Sequence, residues 1–186
     1  DADEFHDALL LLGVLPPIVT LSPLPAGEES RTSPKEMLRF ARHDDNSSKN
    51  LERWFAELVE AGRAFHLALP DGRSAWVAAE RIPLAQAAFP NARLEPEPSP
   101  SLTRSASGGL SQEEAMVTLA RGWAECSGPF TPGELAQTLS LPAADVHLAV
   151  VQLEVEGLVL RGRFRPQAAQ EEFCDRRILA RIHRAT

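Results

Sequence analysis

Apolar positions recur at helical spacing in "DADEFHDALLLLG", where Phe5, Ala8, Leu9 and Leu12 share one face and Gly13 supplies a stop. The same period returns in "NLERWFAELVEAG". There Asn50 reads as the cap, Leu51, Trp54, Phe55 and Leu58 as the inward stripe, and Gly62 as the end. The period then drops to two. "AFHLAL" and "SAWVAA" flank Pro70-Asp71-Gly72-Arg73, where Pro fixes φ and Gly tolerates positive φ, so the stretch predicts a β-hairpin. "LAQAAFP" predicts a short helix closed by Pro90. Between the first two helices the periodicity fades into Pro, Ser and charge, which predicts an insertion over about residues 16–49. Within it "SPKEMLRFARH" predicts one short helix, capped by Ser33 with Pro34 at its first position.

"NARLEPEPSPSLTRSASGG" has no apolar period and reads as a linker over residues 91–110. A second patterned region follows. Ser111 and Glu114 form an S-x-x-E capping box ahead of Ala115, Leu119, Trp123 and Cys126 on one face. Thr131 to Glu134 repeats the box, with Pro132 at the first helical position and Leu135 and Leu139 inward. "SLP" turns the chain into a helix with Val146, Ala149, Val150 and Leu153 inward, ended by Gly157. The strand "LVLRGRF" follows at once, and another is expected at Glu171–Cys174. The fold class expected is mainly α with small β-hairpins, an α+β arrangement. The order helix, tight turn, helix, hairpin is that of a winged helix-turn-helix. It fits residues 111–186, and in looser form residues 1–90, so the expectation is two such domains in tandem.

Composition bounds the function. With 44% apolar and 24% charged residues the chain of 186 can bury a core. No apolar run approaches the roughly 18 residues of a membrane helix, and the acidic start carries no signal-peptide pattern. A cytoplasmic protein without membrane contact is the expectation. Cys126 and Cys174 form no C-x-x-C and read as buried hydrophobes. The sequence starts without Met and stops inside a helical pattern, which reads as a segment of a longer protein. Charge is uneven: residues 158–186 hold seven Arg against Glu171, Glu172 and Asp175, while the whole chain carries −7.

That imbalance directs attention to a polyanion. Arg161, Arg163 and Arg165 alternate along the expected strand and would form a row suited to phosphates. Arg177, Arg181 and Arg184 gather at i, i+4 and i+7 opposite Ile178, Leu179 and Ile182 on the last helix. The helix over residues 143–156, where a helix-turn-helix reads bases, offers Asp145, His147, Gln152, Glu154 and Glu156 outward. Arg, Asn and Gln contacts to base edges are nearly missing there, which argues against sequence-specific readout. Trp54 and Trp123 lie on apolar stripes; Trp76, on a hairpin strand, is the candidate for stacking on a base. No phosphate loop, dinucleotide fingerprint, nucleophile elbow or histidine pair occurs, so no catalytic, cofactor or metal site is expected. His43–Asp45 has metal-ligand atoms but sits in the insertion. Asp175 reads as a helix cap.

The closing run "GLVLRGRFRP…EEFCDRRILARIHRAT" resembles the winged-helix region of the Lhr family, the bacterial large helicase-related proteins. "DADEFHDALLLLG", "WFAELVEAGRA" and "WVAAERIP" resemble segments of that family in the same order. The chain departs from the family by its insertion, by Phe173 where Trp is usual, and by lacking Gly after Pro166. The resemblance implies a parent that is an ATP-dependent superfamily 2 DNA helicase of repair, with ATP and Mg at a motor outside this segment. It implies a non-catalytic accessory region that holds DNA, single- or double-stranded, without sequence preference, or orients the motor. A scaffold packing on other domains of the same chain is the alternative. A share in a DNA glycosylase-like winged-helix array is a second alternative, with no catalytic residue assignable.

Overall fold

The computed structural model describes residues 1–16, 45–100, 102, 109–166 and 168–185. The described residues are mixed α and β, mainly helical with small antiparallel sheets. They divide into two compact units, the first from residues 1–16 and 45–115 and the second from 116–185.

In the first unit α1 (Ala2–Leu12) starts at a capping box: Asp1 accepts the Glu4 N–H while the Glu4 side chain reaches back to the Asp1 amine. Phe5, Ala8, Leu9 and Leu12 are buried, as the spacing predicts. α2 (Asp45–Glu60) begins five residues before the expected cap, so Asn50 lies inside the helix. Asp, Asn and Ser fill residues 45–48, any of which suits a helix start, and the apolar stripe does not select among them. Gly62, at φ 69°, ends α2 with its N–H on the Val59 carbonyl and the Arg63 N–H on that of Leu58. The expected hairpin forms as β1 (Ala64–Ala68) and β2 (Ser74–Ala78), with Phe65 opposite Val77. A single 3₁₀ turn leads to α3 (Ile82–Ala88).

The linker reading needs correction at one point. β3 (Arg93–Glu95) pairs with the free edge of β1, Leu67 opposite Leu94, making a sheet of order β2-β1-β3. Three residues with one half-buried side chain carry no periodic signal; main-chain bonds alone make this strand. On the other edge Leu15 exchanges both backbone hydrogen bonds with Trp76, at 2.9 and 2.7 Å. The short helix expected at residues 33–43, the His43 site and most of the insertion lie outside the described residues.

α4 (Gln112–Cys126), most of which belongs to the second unit, has its box closed by Ser111 and Glu114. Phe130 then exchanges backbone bonds with Phe173, at 2.9 and 2.8 Å. Thr131 and Glu134 form the second capping box, on α5 (Pro132–Leu139). Ser140, in the left-handed region at φ 60°, turns the chain into α6 (Ala143–Val155). Gly157, at φ 72°, ends α6 as Gly62 ends α2. β4 (Val159–Gly162) pairs antiparallel with β5 (Glu172–Asp175), and α7 (Arg176–Ala185) follows without a break. Asp175 caps α7, accepting the N–H groups of Arg177 and Ile178 at 2.8 and 3.1 Å. Trp123, Leu119, Leu139, Val150 and Leu153 form the interior of the unit with Ile178 of α7.

Candidate functional site

β4 ends at Gly162, so of Arg161, Arg163 and Arg165 only Arg161 lies on a strand. The expected alternation therefore does not extend through Arg163 and Arg165. Arg161 is held by its own unit. Its Nε and Nη2 donate to the two Glu154 oxygens at 3.1 and 2.6 Å, and its Nη1 lies 3.6 Å from Glu171. The guanidinium also covers the Phe173 ring, 5.1 Å from its centroid. Hydrogen bonding to Glu154 raises the Arg161 pKa.

Arg165 is fixed more firmly. Its two Nη atoms donate to both oxygens of Glu134 at 2.9 and 2.8 Å, and its Nε donates to Glu172. Glu172 is fully buried and also accepts the backbone N–H groups of Phe164 and Arg165 at 2.8 and 2.9 Å. Burial pushes the Glu172 carboxyl up, but the Arg165 and Phe164 donors outweigh it and hold the group below the ordinary carboxylate range. The Arg165 hydrogen bonds do the same for Glu134, against its partial burial. One guanidinium thus ties the loop after β4 to β5 and to the first turn of α5. A phosphate at Arg161 or Arg165 would compete with carboxylates already in place.

The other predicted residues are placed differently. Arg163 is exposed and forms no ion pair among the described residues. On α7, Arg177 is exposed, Arg181 is half-buried, and Arg184 is exposed with its Nε on the Ala180 carbonyl at 3.2 Å. Trp76 is 6% exposed. Phe55 stacks on its ring at 4.6 Å and Phe5 meets it edge-on at 5.8 Å. It is a core residue of the first unit without an open face for a base, because β2 is buried along all of Ala75–Ala78.

Sequence reasoning missed the outward face of α6. Val146, Ala149, Val150 and Leu153 point inward, which leaves Ala144, Leu148, Val151 and Val155 as the opposite stripe. Leu148 is 68% and Val155 83% exposed. The expected polar face is divided: His147, Gln152 and Glu156 are exposed, while Asp145 and Glu154 are half-buried. Glu154 is held by Arg161, and Glu156 by Arg121 at 2.8 Å. The signal was present, since "AADVHLAVVQLEV" carries apolar residues on two opposite faces, with Asp145, His147, Gln152 and Glu154 confined to the narrow stripes between them.

Among the described residues no three His, Cys, Asp or Glu side chains converge as metal ligands. Nor is any described helix long and apolar enough to cross a membrane. No family model matches the chain, and no curated protein matches it at a significant level.

Proposed function

We propose that this chain is a non-catalytic docking module made of two winged helix-turn-helix units, belonging to a longer polypeptide of the large helicase-related kind that its closing run resembles. The tandem reading is supported by a repeated order. In each unit a helix is followed by one residue bridged to the second strand of a hairpin, Leu15 to Trp76 and Phe130 to Phe173. A glycine-ended helix precedes each hairpin, and a helical segment follows it.

The observation that carries the function is the outward face of α6. In a helix-turn-helix this helix enters the major groove. Here it presents Ala144, Leu148, Val151 and Val155, spaced four, three and four apart. That is the seam spacing of helix-on-helix packing, and these four side chains have no hydrogen-bonding group for a base edge or a phosphate. The occupant on this reading is an α-helix of another domain of the same polypeptide, its apolar stripe laid along α6. Covering Leu148 and Val155 would contribute about 1–2 kcal/mol each. DNA contact is left to exposed arginines that hold no carboxylate, such as Arg163 and Arg184, and would be weak, nonspecific and salt-dependent.

The test is binding in trans. The motor-bearing segment of the polypeptide, expressed separately, should bind this chain in calorimetry, and Leu148→Glu with Val155→Glu should abolish that binding. Titration with single- and double-stranded oligonucleotides at two salt concentrations should be indifferent to the same pair. Undiminished protein binding by the double variant would overturn the reading.

A further inference from the structure

His6, on α1, is 5% exposed and meets partners from two distant parts of the chain. Its Nδ1 lies 3.1 Å from Nη2 of Arg63, in the turn between α2 and β1. Its Nε2 lies 3.2 Å from Oε2 of Glu80, in the 3₁₀ turn after β2. A guanidinium only donates hydrogen bonds and a carboxylate only accepts them. The two contacts together therefore place the ring proton: Nδ1 accepts from Arg63, and Nε2 donates to Glu80. The same guanidinium donates through Nη1 to Asp3 at 2.6 Å. That hydrogen bond holds the exposed Asp3 carboxyl below the ordinary carboxylate range, so it stays ionised around neutral pH. A further charge at the start of α1 is the Asp1 ammonium, 2.7 Å from Glu4.

We propose that His6 is an acid-sensitive latch on the first unit: neutral, it ties the start of α1 to Arg63 and Glu80, and protonated, it lets Arg63 go. A proton on Nδ1 removes the acceptor and leaves an imidazolium facing a guanidinium across 3.1 Å. Glu80 is 58% exposed, so solvent screens its pull on the imidazolium. Arg63, 42% exposed, has room to turn outward and keep Asp3 alone. The unfolded chain takes up the same proton without losing a contact. Stability is therefore full where the imidazole is neutral and declines as pH falls from about 8 to about 5, the range in which histidine changes charge. The far end of α1 does not share the device. There Arg81 Nε donates to the Leu10 carbonyl at 2.7 Å, and neither group titrates in that range. The latch belongs to the first unit and does not rest on the α6 reading of the second.

The test uses the whole 186-residue chain. Nitrogen NMR of the imidazoles at about pH 8 should show His6 with its proton on Nε2. Between about pH 8 and pH 5 the urea midpoint reported by the Trp76 indole should fall by roughly 0.5 M, and the amide signals of Glu4, Phe5 and Asp7 should move over the same range. His6→Gln should lose most of that dependence, while His66 and the Asp1 amine, present in both proteins, keep theirs. Arg63→Met leaves a protonated His6 facing only the carboxylates of Glu80 and Asp3, so the dependence should vanish or change sign. The tautomer and the His6→Gln comparison decide the matter if Arg63→Met does not fold. A proton on Nδ1 at about pH 8, or midpoints of wild type and His6→Gln that fall alike, would overturn the latch. So would Arg63→Met keeping the full wild-type dependence.

Discussion

Replacing Glu172 tests whether the β4–β5 hairpin is anchored by a buried charge. The carboxylate has no exposure and serves three donors: the Phe164 and Arg165 N–H groups at 2.8 and 2.9 Å, and the Arg165 guanidinium. Glu172→Ala leaves all three without this acceptor. A buried donor left unmade costs about 1–3 kcal/mol. Phe164 and Arg165 are half-buried, so water can reach their amides and the lower end of that range applies. The guanidinium, a third exposed, keeps Glu134 and loses less. The sum is about 2–4 kcal/mol, a large share of a small domain's stability. Glu172→Gln keeps an acceptor oxygen and should cost about half as much. The two units can be read separately. Trp123 is the tryptophan of the second unit and Trp54 and Trp76 are those of the first, so indole N–H signals followed through a urea titration report each unit by itself. The pH dependence has a fixed sign. The folded Glu172 and Glu134 pKa values are lowered, so their stabilisation is full above the unfolded value of about 4.3 and is lost as pH falls below it through the folded values. Glu172→Gln should therefore flatten the loss of Trp123-reported stability below about pH 4.3. A Glu172→Ala cost under about 0.5 kcal/mol, or an equal shift of the Trp76 transition, would refute the anchoring argument.

Trp76→Ala should destabilise the first unit by about 3–5 kcal/mol, because it empties the space between Phe5 and Phe55, and should leave oligonucleotide binding unchanged. Leu148→Glu with Val155→Glu should change the Trp123 urea midpoint by no more than about 0.5 kcal/mol, since both side chains are exposed; a larger loss would show that they pack within the unit. Burial, with the charges of Asp175 and Glu172, pushes the Cys174 thiol up to about 12. At pH 8 it should not react with a disulfide reagent such as Ellman's until urea unfolds the second unit, and prompt reaction of the native protein would contradict that.

Most of the elements were legible because each carried a local signal. The capping boxes at Ser111 and Thr131, the Pro-Asp-Gly turn and the glycine stops at positions 62 and 157 are backbone chemistry written in a few adjacent residues. β3 was not legible, because Leu94 pairs with Leu67 across 27 positions and its bonds are main-chain only. The arginines show the same limit. Arg165 meets Glu134 across 31 positions, and spacing alone cannot tell a guanidinium awaiting phosphate from one answered by a distant carboxylate. Trp76 failed for a related reason: alternation placed it on one face of a hairpin, but two helices cover that face.

The charge distribution closes the argument about α6. An arginine-rich end on an acidic chain invites a polyanion only while its cations are uncommitted. Glu154 and Glu171 answer Arg161, Glu134 and Glu172 answer Arg165, and Glu156 answers Arg121. Two of these acids, Glu154 and Glu156, lie on or beside α6, in the position where a base-reading helix would need donors. Their pairing neutralises the flanks of the Leu148–Val155 stripe without making them cationic. An apolar seam between neutralised flanks gains from covering by another apolar helix, and a phosphate backbone would gain nothing there. The same salt bridges that tie the β4–β5 hairpin to α5 and α6 commit Arg161 and Arg165, and on the proposed reading they leave the Leu148–Val155 stripe to an apolar partner.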